Sequence, residues 1–228
     1  MKSAERNTLL FILAITSGSA DGWSYIGLGH AFVANMTGNT VLLGISIFLE
    51  HHDARHPLIS LMCYAGGVAF GSFLTRDVKE DALWSKSTSS VLVVESFILL
   101  AAAVAWLSKN AILSPSLRDL LLGCVAAAIG LQSGAMLALK LPGIITTYIT
   151  GTWTTLMRGL VLLGIGRPRA AANEASLEDR LFVQAGFLLV YFLSALAAGW
   201  TFHYVPVLIG FLTALPIFIV AAYGAFRG

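Results

Sequence analysis

Asp21 and Glu95 are the two acidic residues, of twelve in this 228-residue chain, that fall inside long apolar runs. A charge at the middle of a bilayer costs at least ~2.5–3.5 kcal/mol on insertion scales, so such a group normally faces a bundle interior and marks a proton, ion or solute path. The structural alternative is a polar network that only holds helices together. Polar residue types thicken just after Asp21. The stretch "FVANMTGNTVLLG", residues 32–44, sets Asn35, Thr37, Asn39 and Thr40 around Gly38 between two apolar runs. Asn35 and Asn39 are four apart and share one helix face; Thr37 and Thr40 are three apart on another. Gly38 permits close helix approach or local unwinding, and unwinding frees carbonyls to coordinate a cation or a substrate hydroxyl. Plain interhelical hydrogen bonding through Thr and Asn, with Gly for packing, accounts for the same types.

The remaining candidates are Gln132, Thr150, Thr152 and Arg158, all within later apolar runs. Arg158 is the one base inside a span, either reaching towards Asp21 or snorkelling to headgroups. "HHDARH" places His52 and His56 four apart, a spacing able to bind a metal, but at a helix end, where a solvated cluster is the plainer reading. There is no H-E-x-x-H, no G-x-S-x-G and no P-loop lysine. No cofactor and no enzymatic activity are expected.

The elements that must carry these residues are membrane helices. The chain is 57% hydrophobic and 11% charged, with a mean hydropathy of +0.81; soluble domains carry about 25% charged residues. Several runs exceed the ~18 apolar residues that a spanning helix requires. The expected class is an all-α integral membrane protein, a bundle of about six to eight transmembrane helices forming one domain over residues 1–228. Eight candidate helices are read, near 8–29, 32–49, 57–76, 89–107, 117–139, 144–165, 180–203 and 205–226. The break near "GLGHA" is the weakest; a segment there that enters without crossing lowers the count to seven or six. The N-terminal run resembles a secretory signal, but it is read as a retained first helix because apolar character resumes at Trp23–Leu28. Cys63 and Cys124, both in apolar runs, are read as packing residues. With eight spans, nine bases fall on the side of the termini and four on the other, which places both termini in the cytoplasm; residues 76–86 are awkwardly basic in that arrangement. The net charge of +2 gives no reason to expect nucleic acid. The lipid bilayer and a small polar solute or ion are the expected partners, and a homo-oligomer stays open.

Residues 19–44 can be laid on residues 131–159: Asp21-Gly22 on Ser133-Gly134, then Thr37-Gly38-Asn39 on Thr150-Gly151-Thr152. Small residues four apart follow in both, Gly67 and Gly71 against Ala195 and Gly199. This predicts an internal duplication, about 1–107 and 108–228, with broken helices. Four spans per unit make the repeats parallel; three spans plus a re-entrant segment make them inverted. Counting ~1.5 Å per residue through eight spans sets Asp21, Asn39, Glu95, Gln132 and Thr150 at one depth, about 10 Å below the outer edge, with Arg158 about 10 Å deeper.

"SGSADGWSYIGLGHAFVANMTGN" resembles the YoaK-like family of uncharacterised bacterial multi-pass membrane proteins, through its F-x-x-N-M-T-G-N core and the Asp-Gly before it. The resemblance implies a bacterial inner membrane, several spans, and no established substrate or catalytic set. The leading expectation is a small secondary transporter or permease. Asp21 would be its proton or cation site, with Asn35, Thr37, Gly38, Asn39, Glu95, Gln132, Thr150, Thr152 and Arg158 as the other substrate- or ion-site candidates. The alternatives are a membrane enzyme acting on a lipid or isoprenoid and a non-catalytic accessory subunit.

Overall fold

The computed structural model describes residues 3–48, 53–78, 85–138, 149–165 and 177–227. Its helices are α1 (Ser3–Gly27), α2 (Met36–Ser46), α3 (Arg55–Leu74), α4 (Lys86–Ser108), α5 (Pro115–Ala138), α6 (Ile149–Gly164), α7 (Leu177–Tyr204) and α8 (Ile209–Arg227), with a single 3₁₀ turn at Pro206–Leu208 before α8. Six of them are long and apolar enough to cross a membrane. The other two are α2, with 11 residues, and α6, with 16. At 1.5 Å per residue α2 covers about 16 Å, half of a ~30 Å hydrocarbon core. Among the described residues the protein is an all-α membrane bundle of six span-length helices and two shorter ones. The expected crossing at 32–49 is therefore corrected: the run is apolar enough, but it is helical only over Met36–Ser46. The expected crossing at 144–165 begins outside the described residues, which hold it from Ile149.

Contacts fix the direction of each element. Trp23 near the end of α1 meets Trp106 near the end of α4 edge to face, with ring centroids 5.8 Å apart. Gly210 at the start of α8 abuts Ala103 and Trp23. At the start of α3, Arg55 pairs with Asp119 at the start of α5. These ends share one face of the bundle, here termed the tryptophan face; residues 3 and 227 lie on the opposite, terminal face. Helices α1, α4 and α7 run towards the tryptophan face, and α3, α5 and α8 run away from it.

Two parallel seams hold the spans together. Gly67 and Gly71 of α3 pack on Gly130 and Gly134 of α5, where a Cβ on Gly130 would run into the carbonyl of Tyr64. Gly18 and Gly22 of α1 pack in the same manner on Ser194 and Ala198 of α7. Lipid tails are as apolar as leucine, so helices associate through close backbone packing, and small residues four apart are what allow it. The core between α1, α4, α5 and α8 is filled by Leu13, Trp23, Leu92, Leu99, Trp106, Leu122, Ile129 and Ile217, all fully buried.

Candidate functional site

Helix α1 ends at Gly27, and the chain turns back through Gly29 (φ 123°) and His30 (φ 57°), both in the left-handed region. It then descends into the bundle instead of leaving it. Val33 and Ala34 donate their N–H groups to Asp21 Oδ1 at 2.8 and 2.7 Å, and Asn35 N–H follows at 3.4 Å. The Tyr191 hydroxyl of α7 donates to the other carboxylate oxygen. Asp21 is thus the anchor of a re-entrant loop, with four donors on a buried carboxylate. Such charge-assisted bonds are the strong ones.

Asn35 caps α2 by accepting from Gly38 N–H at 3.1 Å. Asn39, one turn on and fully buried, forms a two-point pair with the Phe32 backbone: Oδ1 accepts from its N–H at 2.8 Å and Nδ2 donates to its carbonyl at 2.6 Å. Nδ2 also reaches Ser60 Oγ of α3 at 3.1 Å, and Ser60 donates to the same carbonyl. The N-terminal signature is therefore a clasp that folds the loop onto the start of α2. Beside α3, α2 runs back to the tryptophan face.

α6 repeats the half-helix. Its described part begins inside the bundle at Ile149 and runs antiparallel to α7, with Gln184 Nε2 donating to Thr155 Oγ1 at 3.1 Å and Gly159 on Leu181. The N-terminal ends of α2 and α6 meet at a cavity of about 390 Å³. Its polar lining among the described residues is Asn35, Thr37, Tyr64, Ser133, Thr150 and Tyr191, with no Asp, Glu, Lys or Arg among them. Tyr191 stands between the cavity and Asp21.

The family model "Protein of unknown function (DUF1275)" matches residues 9–224, from within α1 to within α8. The chain belongs to this family. It is also 35% identical over 162 residues to the UPF0700 transmembrane protein YoaK of Bacillus subtilis (strain 168), covering 69% of this chain and 68% of that protein. No solved structure matches it.

Of the residues singled out in the sequence, the structure brings Asn35, Thr37 and Thr150 to the cavity wall. Asp21, Asn39 and Gly38 stand behind it; an added Cβ on Gly38 would meet the Phe32 ring at 2.9 Å and the Asn35 amide at 3.0 Å, not the backbone of another helix. Thr152 is fully buried on α6. Gln132 donates to Ser17 Oγ at 3.2 Å in the α1–α5 contact. Glu95 is fully buried on α4, and neither oxygen has a hydrogen-bond partner. The expected common layer is corrected accordingly, because it rested on eight crossings. Arg158 is exposed on α6, away from the cavity, and Asp21 is satisfied without it. His56 lies 3.5 Å from Asp53 and 3.3 Å from Asp119, in a charged cluster at the tryptophan face. His52 lies outside the described residues, among which no three His, Cys, Asp or Glu side chains gather for a metal. Sequence reading missed Tyr64, Tyr191 and Ser60. The two tyrosines each stand three residues before a small seam residue, Tyr64 before Gly67 and Tyr191 before Ser194, and that shared spacing was the available signal.

Proposed function

We propose that this protein is a small secondary transporter or permease that passes a small polar solute, neutral or anionic, through the cavity between α2 and α6. The observation that carries this reading is the pair of half-helices that enter from opposite faces and end on one cavity. Each N-terminus brings the positive end of its dipole to that point. Hydroxyls and an amide line the rest, and the described lining carries no fixed charge to trap the solute. Discontinuous helices at matching places in two halves are the best pointer to a transport site.

An inverted duplication supports the reading. Helix α5 repeats the burial of α1 at a spacing of 112 residues, so that Leu9, Leu13, Ala20 and Trp23 answer to Leu121, Val125, Gln132 and Ala135, all buried. Helix α8 repeats α4 at a spacing of 118, with Leu92, Glu95, Leu99 and Ala103 answering to Gly210, Thr213, Ile217 and Ala221. Helix α7 repeats α3 at 127, which lays Tyr191 on Tyr64. Paired helices run in opposite directions, as an inverted repeat requires. Asp21 has Ser133 as its counterpart and holds the re-entrant loop of the first half through Val33 and Ala34; we assign Asp21 to architecture, not to carrying the coupled ion.

Charge placement supports cytoplasmic termini in a bacterial inner membrane. Among the described residues, Arg55, Lys109 and Arg118 belong to the tryptophan face, and Arg6, Arg76, Lys86, Arg180 and Arg227 to the terminal face. The positive-inside rule then favours the terminal face as the cytoplasmic one, with Arg76 and Lys86 on it.

The test is shrinkage of reconstituted vesicles, followed by light scattering, with small polyols and with monocarboxylate salts. Faster flux than in empty vesicles for at least one class, abolished by Thr37→Trp and by Thr150→Trp in folded protein, is expected. Flux that survives both plugs, or none for either class, counts against the reading.

A further inference from the structure

The two carboxyls buried in the spans are in opposite situations. Asp21 has four donors; Glu95 has none, and it is fully buried. An isolated carboxylate in such a place is costly and neutralises by taking up a proton. Glu95 is not alone in lacking a partner. The buried Trp23 Nε1, Thr213 Oγ1 and Thr16 Oγ1 have no hydrogen-bond partner either.

Helical geometry places these groups along one seam. The Trp23 indole lies against Gly210 at the tryptophan face, and Thr213 is one turn deeper on α8. Thr16 is two turns, about 10 Å, below Trp23 on the same face of α1. Glu95 is three turns, about 16 Å, below Trp106 on the same face of α4. Since Trp23 and Trp106 touch, both stripes look into the space between α1, α4 and α8. Trp106 Nε1, by contrast, is satisfied, donating to the Pro206 carbonyl at 2.8 Å.

We infer that Glu95 is a proton-binding site, reached from the tryptophan face past the hydroxyls of Thr213 and Thr16. A proton taken from water on that face forms the carboxyl O–H bond, and its release leaves the carboxylate; no other bond changes. A hydroxyl can accept one proton and donate another, which the apolar neighbours cannot do. A hard metal cation would need about six oxygen ligands, and no described side chain is hydrogen-bonded to the Glu95 oxygens. The titratable side chains on the helices that surround α4 are Glu5 and Asp21 on α1, Tyr223 on α8, Arg118, Asp119 and Cys124 on α5, and Arg55, His56, Cys63 and Tyr64 on α3; none is hydrogen-bonded to Glu95. Glu95 also sits beside the α4–α8 contact, where the two halves meet, so gain or loss of its charge acts on the surface across which they would move. This deepens the transport reading by naming the site of the coupling ion.

Infrared spectroscopy of the full chain in lipid nanodiscs tests it without any transported solute. The wild type should show a protonated carboxyl C=O band at neutral pH that D₂O shifts and that Glu95→Gln removes. The Thr16→Val/Thr213→Val double variant should keep the band and slow its shift several-fold. Dicyclohexylcarbodiimide, which attacks protonated carboxyls in apolar surroundings, should label wild-type Glu95 and spare Asp21, a readout that holds if Glu95→Gln fails to fold. A band that persists in Glu95→Gln, a band insensitive to D₂O, or an adduct on Asp21 alone overturns the proton site. An unslowed shift in the double variant overturns the route. A proton site found in protein that moves no solute removes the transport reading alone; solute flux without the band removes this inference alone.

Discussion

Replacing Asp21 by alanine separates an anchor from a carrier. The substitution removes the acceptor of two short charge-assisted bonds, from Val33 at 2.8 Å and Ala34 at 2.7 Å, and of a longer one from Asn35 at 3.4 Å. It also strands the Tyr191 hydroxyl. Hydrogen bonds to a charged group contribute about 1.5–3 kcal/mol each. The long bond adds little, and the Tyr191 hydroxyl can turn towards the neighbouring cavity. The loss then comes to about 3–5 kcal/mol, a large part of a typical stability of about 5–15 kcal/mol. For a chain of this size that lowers the melting temperature by roughly 10 °C. Asp21→Asn keeps the volume and one acceptor oxygen and turns its amide towards Tyr191, whose hydroxyl can accept; it should cost less than half as much. The assay is thermal unfolding in detergent, paired with thiol labelling of Ala34→Cys, buried in the wild-type background and exposed once the loop lets go. An Asp21→Ala protein that melts with the wild type and leaves Cys at position 34 unlabelled would refute the anchoring role.

Asn39→Asp should lower the melting temperature by several degrees, because it swaps the donor facing the Phe32 carbonyl for an acceptor; Asn39→Ala should do the same, read in the same assay. Gly130→Leu should prevent assembly, since its side chain meets the Tyr64 carbonyl, whereas Gly66→Ala, with nothing within 4 Å, should be silent; size-exclusion profiles separate them. For topology, Asn110→Cys should react with a membrane-impermeant thiol reagent applied to intact cells, and Ser85→Cys only after permeabilisation; the reverse pattern would invert the proposed orientation.

Much of the fold was legible, because membrane spans are written in composition. Six of the eight apolar runs are spans, and the polar-Gly pairs that suggested a repeat, Asp21-Gly22 and Ser133-Gly134, lie on the two parallel seams. The half-helices were harder to see. Apolar content reports that a segment lies in lipid or in protein, not how far it stays helical. Residues 28–35 are nearly as apolar as the spans, and their backbone descends unwound only because Asp21, twelve to fourteen residues earlier, accepts its N–H groups. No periodicity records a bond of that kind. The depth argument failed for the same reason: each wrongly assumed crossing reversed the levels of everything after it.

The site shows a similar division. Thr37 and Thr150 were found because Thr-Gly recurs, and both reach the cavity. Arg158 was set against Asp21 because a base and an acid in apolar runs suggest a pair, yet the carboxylate takes its donors from backbone and from a tyrosine. Peptide N–H groups freed by an unwound segment have no side-chain signature, and a bilayer core offers them no water. Wherever such a segment exists, an acceptor must be found close to it. The buried carboxylate and the unwound loop therefore require one another: the loop without Asp21 leaves orphan donors, and Asp21 without the loop leaves an orphan charge. Glu95 has no such counterpart on any packed helix. That asymmetry ties the first acid to its loop, and it is why we infer that the second changes its protonation.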